Sequence, residues 1–277
     1  MKKEIKVLDH GYVKYIDHMG SDQAVIEAAR MSVNKGFQDW ERDAELLEYL
    51  YANKHMTPFE CGGELQIEVY APIFVFRQWH RHRTQSFNEQ SARYSKMPDV
   101  HYLPTSDRLT KQSKTNRQGS SEELLPIEVR EGFLNAMKEQ QDYIFEDYEN
   151  FVKTHKVSKE IARLNCPVSR YSKMRAKTDL RNWLHFLGLR LHSHAQWEIR
   201  QYAQAVAEII KELWPRTYEL FEEHTLGSVT LSRSEVQELN VFIKNLSGLC
   251  TVKQCIEEYD ELDSKILDRA INKLGIE

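Results

Sequence analysis

Apolar and polar residues alternate along Lys3–Leu8 and again along Tyr12–Ile16, with Asp9-His10-Gly11 between the two runs. A period of two marks a half-buried strand, so this stretch predicts a β-hairpin. Asp22 can cap a helix that runs through Met31, with Ala24, Val25, Ala28 and Ala29 on one side. A second helix is expected from Trp40 to Asn53 on the stripe Leu46, Leu47, Leu50. Glu64–Tyr70 alternates once more and predicts a strand. Ala71-Pro72 then starts a helix through Ile73-Phe74-Val75-Phe76 into Arg77–Arg81, because proline is tolerated at the first helical position.

Thr105–Glu123 is rich in Ser, Thr, Lys, Gln and Asn and poor in apolar residues. It reads as a mobile surface loop. Glu128–His155 repeats Phe133, Met137, Tyr143/Ile144 and Tyr148 near helical spacing. A short helix over Val157–Leu164 should stop before Pro167, and Ser169–Lys177 reads as an extended crossing. Asp179 is a plausible cap for a helix carrying Leu180, Trp183, Leu184, Leu187 and Leu191. Ser193-x-x-Gln196 has capping-box form and would open the next helix, on Ile199, Tyr202, Val206, Ile210 and Leu213. Pro215 should break or kink that one. Beyond Leu226 the character changes, and Ser232–Leu246 and Val252–Leu274 read as two charged amphipathic helices. There is no internal repeat.

Composition narrows the classes. The chain has 277 residues, 41% hydrophobic and 29% charged. That balance is ordinary for a soluble protein, and the length buries a core without disulfides, in one large domain or about two. Its 38 Lys+Arg and 42 Asp+Glu give a net charge of −4, so nucleic-acid binding would need a local patch. No apolar run approaches the ~20 residues of a membrane span, and the start of the chain lacks the apolar core of a signal peptide. Cys61, Cys166, Cys250 and Cys255 form no Cys-x-x-Cys pair, and no histidine near Cys250 and Cys255 completes a zinc set. Reduced thiols in a cytoplasmic protein, with no metal, are expected.

Two regions depart from this ordinary pattern. Arg77–Tyr94 holds four arginines (77, 81, 83, 93) and two histidines (80, 82). Lysine is absent there, and arginine alternates with histidine directly after an apolar helix. The guanidinium is a planar five-donor fork suited to phosphate and to stacked rings. The alternatives are a surface arginine cluster or a buried ion-pair network. A metal at His80 and His82 is disfavoured by the neighbouring positive charges, and a nucleic-acid patch by the sparse aromatics. In the second region, Arg190 lies in helical phase with Trp183, Phe186 and Leu187, where arginine is rarely unpaired. It is either one half of a buried pair, with Glu198 as the candidate carboxylate, or aimed at a bound anion. Arg181 and His185 share another face of that helix.

Arg81-His82-Arg83-x-x-Ser86-x-Asn88-Glu89-x-Ser91-x-Arg93 resembles the R-H-R-x(7)-S signature of flavin-dependent thymidylate synthases at every fixed position. The similarity continues in His55-x-Thr57-Pro58-Phe59-Glu60, in Ala71-Pro72-Ile73-Phe74-Val75, and in Leu189-Arg190 followed by Ser193-His194-Ala195-Gln196-Trp197-Glu198-Ile199. It spans about Ile5 to Phe221. The domains expected are therefore a catalytic domain over 1–226, with an insertion at about 105–123, and a helical extension over 227–277.

The resemblance implies an α+β fold, with long helices packed around a small, largely antiparallel sheet. It implies methylation of dUMP to dTMP, with 5,10-methylenetetrahydrofolate as carbon donor and FAD, reduced by NADPH, as hydride donor. It also implies a homotetramer with active sites shared between subunits. Carried over by position, Thr57, Arg81, His82, Arg83, Glu89, Asp179, Arg181 and His185 would hold FAD. Gln78, Arg81, Arg163 and Arg190 would contact dUMP, and Glu89-Gln90-Ser91-Ala92-Arg93 would wrap its phosphate. Successive N–H groups and a guanidinium suit that anion. Arg190 would activate the uracil, since a permanently charged guanidinium favours the N3 anion and an electron-rich C5. Ser91 is a tempting nucleophile, but no His-Asp relay surrounds it. From a different class, the arginine patch could serve a non-catalytic nucleotide- or RNA-binding module, and a flavoprotein of another specificity is a third reading.

Overall fold

The expected hairpin is present in the computed structural model, which describes residues 4–114 and 116–234. β1 (Glu4–Val7) and β2 (Gly11–Gly20) pair antiparallel, with Val7 opposite Gly11. Next come α1 (Asp22–Arg30), α2 (Trp40–Ala52) and α3 (Thr57–Cys61), then β3 (Gly63–Pro72), α4 (Ile73–Trp79) and β4 (Ser86–Glu89). β5 (Thr110–Gln112) and β6 (Ser120–Leu124) precede the long α5 (Ile127–Lys153) and the short α6 (Lys159–Ala162). β7 (Tyr171–Asp179), α7 (Leu180–Arg190), α8 (Trp197–Leu213) and α9 (Pro215–Phe221) complete this part. The main sheet has the order β1-β2-β3-β7-β4 with every pairing antiparallel. The architecture is α+β. The chain divides into two units, Met1–Gly227 and Ser228–Glu277. The helices expected over Ser232–Leu246 and Val252–Leu274 lie outside the described residues, apart from Ser232–Ser234.

β3 and β7 show why the sheet has two unlike faces. Leu65, Ile67, Val69, Met174 and Ala176 are buried on one side with the helices. On the other, Glu64, Gln66 and Glu68 stand against Lys173, Arg175 and Lys177, with Gln66 opposite Lys177 and Glu68 opposite Arg175. Period-two patterning requires this separation. α7 and α8 cover the apolar face. α8 buries Ile199, Tyr202, Ala203, Val206 and Ile210 at helical spacing. Trp79, Trp183, Trp214 and Phe186 are fully buried among them, each contributing roughly 1.5–3 kcal/mol or more of apolar burial. The indole of Trp183 donates to Leu65 O at 3.0 Å, which fixes α7 on β3.

Several local expectations are corrected. Ser21, not Asp22, caps α1, its Oγ accepting from Ala24 N. Asp22 is buried and accepts from the Arg216 and Thr217 N–H groups and from the Thr217 hydroxyl, so it satisfies the start of α9 instead. The Ser193 capping box does not form. α8 begins only at Trp197, and Gln196 uses its amide to bridge Gln78 and Glu198. The polar 105–123 stretch contains the β5–β6 ribbon, which lies on the surface and so has no apolar period to read. On α5, Phe133 and Tyr143 are exposed, and the inward face is Gln141, Phe145 and Tyr148. Arg170, fully buried, stacks over Phe145 at 4.3 Å and donates to Asp99 and Gln141 O, so α5 is held as much by a guanidinium as by apolar contact.

Candidate active site

β3 runs into α4 without a loop. Pro72, expected as the first helical residue, ends the strand and takes the N-cap position. The first free N–H groups of α4, Ile73 and Phe74, donate to Arg170 O and Val168 O at 2.9 and 3.0 Å. α4 then buries Val75, Phe76 and Trp79, which turns Arg77 outward. After the helix, His82 follows Trp79 inward while Arg81 and Arg83 are exposed. Gln85, also buried, accepts from the Trp79 indole at 2.9 Å and anchors the turn. The alternation of arginine and histidine therefore has a structural cause: one ring goes under, and the two guanidinium groups stay out.

β4 pairs with the edge of β7 and leads into a tight turn, in which Tyr94 N and Ser95 N both donate to Ser91 O. Gln90 N–H goes to Lys173 O, and Arg93 N–H to the Ser91 hydroxyl. Among the described residues no acceptor meets the Ser91 and Ala92 N–H groups. Beside the turn is a cavity of about 280 Å³ that includes Arg77, Glu89, Gln90, Ala92, Lys96 and Arg163 in its wall. The Arg93 guanidinium points elsewhere in this chain, 2.7 Å from Glu160. Among the described residues, Arg77, Arg81, Arg83 and Arg163 have no carboxylate within ion-pair distance.

Arg190 is the last residue of α7 and is half-buried, and burial alone pulls its pKa down from the usual arginine value. The carboxylate partner considered for it, Glu198, is engaged by the Tyr102 hydroxyl at 3.1 Å and by Gln196 at 2.8 Å, with Arg108 3.9 Å away. Arg190 instead donates from Nε to His82 Nε2 at 2.9 Å and from Nη2 to Gln78 O at 3.0 Å. Gln78 O, in the last turn of α4, also accepts from Arg81 N at 3.4 Å. Nε and Nη2 share one edge of the guanidinium. That edge is fastened to the protein, and the end-on fork remains for a ligand. Burial first, then the charge of Arg190 and the nearness of His185, push the His82 pKa down to about 4. The ring is neutral near pH 7.

A second cavity, of about 500 Å³, has Tyr51, Thr57, Glu60, Arg181, His185 and His224 in its wall. Arg181 pairs there with Glu60 at 3.0 Å. Asp179 does not line it; its two oxygens accept from Asn182 N and Asn182 Nδ2, so it caps α7 as expected. The His185 and His82 rings are 6.1 Å apart, which links this cavity to Arg190. Candidate residues thus fall into three groups: Glu89, Gln90, Ala92 and Arg163; Thr57, Arg181 and His185; and Gln78, His82 and Arg190. Two cationic residues in the wall of the first cavity carried no assigned role in the sequence reading. Arg77 was in view as part of the arginine run, whereas Lys96 had no distinguishing signal.

The family model described as "Thymidylate synthase complementing protein" matches residues 14–216. The flavin-dependent thymidylate synthase of Wolbachia pipientis wMel is 41% identical over 242 residues, covering 87% of this chain and 84% of that one. A Thermus thermophilus protein of the same name is 43% identical over 251 residues, covering 88% and 90%. The chain belongs to the flavin-dependent thymidylate synthase family. Among solved structures, the UMP/dUMP methylase PolB of Streptomyces cacaoi bound with 5-Br dUMP matches with a TM-score of 0.70 at 32% identity, covering 80% of this chain and 98% of that one. The segment matched to the flavin-dependent thymidylate synthase family contains every candidate residue from Thr57 to Arg190 and ends before the C-terminal unit.

Proposed function

We propose that this enzyme converts dUMP to dTMP in the cytoplasm, taking the one-carbon unit from 5,10-methylenetetrahydrofolate and reducing equivalents from NADPH through FAD. The observation that carries the reading is a pair of arginines without carboxylates, Arg77 and Arg163, in the wall of a cavity beside a turn with two free N–H groups. Unpaired guanidinium groups and a backbone nest are the donors a nucleotide phosphate needs. Arg163, Ala92 and the Ser91 N–H would take the dUMP phosphate, with Glu89 and Gln90 alongside. The Ser91 hydroxyl binds and does not attack, and Arg93 would join after leaving Glu160.

Arg190 would face the uracil with its free fork. A fixed cation beside N3–H favours loss of that proton and enriches C5, the atom that takes the one-carbon unit. No enzyme nucleophile is required. Thr57, Arg181 and His185 suit a flavin, because their cavity combines an aromatic wall with hydrogen-bonding groups, and Arg81, His82 and Arg83 add donors for its phosphates. Bound there, the reduced flavin supplies the hydride equivalent. Arg81 and Arg83 do not line that cavity, so one cofactor touching both sets is best completed by a second subunit. This favours a homotetramer with shared sites. Val129, Phe133 and Tyr143, exposed on one face of α5, offer apolar surface for assembly. The free thiols of Cys61 and Cys166 fit a reducing compartment.

The test is an anaerobic NADPH oxidation assay with and without dUMP, followed by product analysis after methylenetetrahydrofolate is added. A yellow protein that forms dTMP is expected. A colourless protein that binds RNA would overturn the proposal in favour of a binding module.

A further inference from the structure

We infer that His82 is a positioning residue for Arg190: it holds one edge of the guanidinium as a hydrogen-bond acceptor and so aims the other edge at the substrate. The inference rests on the reading of Arg190 given above. His82 is buried beneath the exposed Arg81 and Arg83. Its ring is packed at 4.9 Å, edge to face, against Phe186 and lies 6.1 Å from His185. Both belong to α7, the helix that ends in Arg190, so ring and guanidinium are fixed to one rigid element.

The direction of the 2.9 Å bond settles the chemistry of the ring. The guanidinium can only donate, so His82 Nε2 must accept. The ring proton then sits on Nδ1, which is left as a donor that does not face Arg190. An imidazolium would present two donors to a cation and could not hold it. The charged group facing the ring is Arg190 on α7, with His185 as the other titratable neighbour; no carboxylate among the described residues pairs with the ring. His82 thus has two hydrogen-bonding sides: Nε2, which holds Arg190, and Nδ1–H, which remains to donate elsewhere.

Two substitutions separate these contacts. His82→Gln places an amide oxygen near the Nε2 position and loses the Nδ1 donor. His82→Asn places an amide group near Nδ1 and leaves Arg190 without its acceptor. With dUMP-dependent flavin oxidation as readout, His82→Asn should slow the reaction about 10- to 100-fold while retaining flavin, the span expected for a lost charged hydrogen bond. His82→Gln should be faster than His82→Asn by about tenfold, because of the two it alone keeps an acceptor for Arg190. In an Arg190→Lys background, His82→Asn should add less than about threefold, because two residues that act as a unit do not multiply. Effects that multiply in full, or a His82→Asn protein as fast as the wild type, would overturn the inference. Independently, ¹³C and ¹⁵N shifts of labelled histidine in the wild-type enzyme, assigned with His82→Gln, should show the Nδ1–H tautomer; an Nε2–H tautomer would overturn it even if a variant fails to fold. If the wild-type protein made no thymidylate, the fault would lie with the proposed function, and the tautomer would still report on the bond itself.

Discussion

The outward face of β3 and β7 and the turn after β4 are both rich in cations and share Glu89 and Gln90 in their walls, yet they handle charge differently. On the sheet, Lys177 meets Glu64 at 2.9 Å, and Arg175 and Lys173 meet Glu68 at 3.2 and 3.8 Å. Around the turn, Arg77 and Arg163 meet no carboxylate among the described residues. Cross-strand pairing explains the first arrangement: opposite charges on facing strands stabilise the pair by a few tenths of a kcal/mol up to about 1 kcal/mol. Nothing comparable explains the second, because unpaired cations in the wall of one cavity repel. The difference teaches that a basic patch becomes a candidate site through the absence of its own counter-charges, not through the number of its cations.

The sharpest way to break that comparison is at Arg190, whose charge is held by two hydrogen bonds and no carboxylate. Arg190→Lys keeps the charge but loses both the fastened edge and the free fork. Turnover should fall on the order of 10²-fold or more, as for loss of a preorganised electrostatic contact, with a smaller change in dUMP affinity. Stopped-flow flavin oxidation with dUMP measures the first, and equilibrium titration of the flavin spectrum the second. Near-normal thymidylate formation would sink the role given to Arg190.

The next effect sets the two regions side by side. Arg163→Ala should weaken dUMP binding about 10- to 100-fold, because a charge-assisted contact to phosphate is lost. Arg175→Ala, on the neutralised face, should leave dUMP affinity within about twofold and change stability by no more than about 1 kcal/mol. Equal losses of dUMP affinity in both variants would show that the distinction between paired and unpaired cations has no functional meaning here.

These variants also mark how far the sequence could be read. The alternation in Glu64–Tyr70, the Asp179 cap and the arginine-histidine run are local patterns, and each survived because a strand face, a cap or a turn is decided by neighbours in the chain. What failed was set by distant backbone. Asp22 caps a helix almost two hundred residues away. Arg190 found Gln78 O and His82 instead of the carboxylate eight residues along, because the end of α4 lies against the end of α7. The β5–β6 ribbon buries nothing, so no periodicity announces it. Lys96 reaches the cavity wall only through the fold of the 91–97 segment.

Ser91→Ala is expected to be milder than either arginine change. Its hydroxyl is a neutral donor beside the turn and already accepts from Arg93 N–H at 3.3 Å. Loss of one neutral hydrogen bond is on the order of 1 kcal/mol, so dUMP affinity should fall several-fold with thymidylate still formed. Loss of all chemistry with dUMP bound at full affinity would assign Ser91 a covalent role and contradict this account.

The smallest effect expected is on the neutralised face itself. Partial burial raises the Glu68 pKa, but hydrogen bonds from Tyr12 and Arg175 and the charges of Lys173 and Arg175 outweigh it and leave the carboxyl below its ordinary value. A carboxyl whose pKa is lower in the folded than in the unfolded chain binds its proton more readily when unfolded. Its contribution to stability is therefore full above the unfolded value of about 4.3 and disappears as the pH falls through the lower folded value. The partners are partly exposed, so Glu68→Gln should cost no more than about 1 kcal/mol at pH 7, and the difference from wild type should shrink as the pH falls below about 4. Urea unfolding of both proteins at neutral and acid pH measures this. Activity at neutral pH should be unchanged, because Glu68 neutralises cations that the proposed chemistry does not use. If Glu68→Gln instead tightened dUMP binding, the sheet face would be acting as a nucleotide surface held in check by its own carboxylates, and the contrast between the two regions would be one of degree.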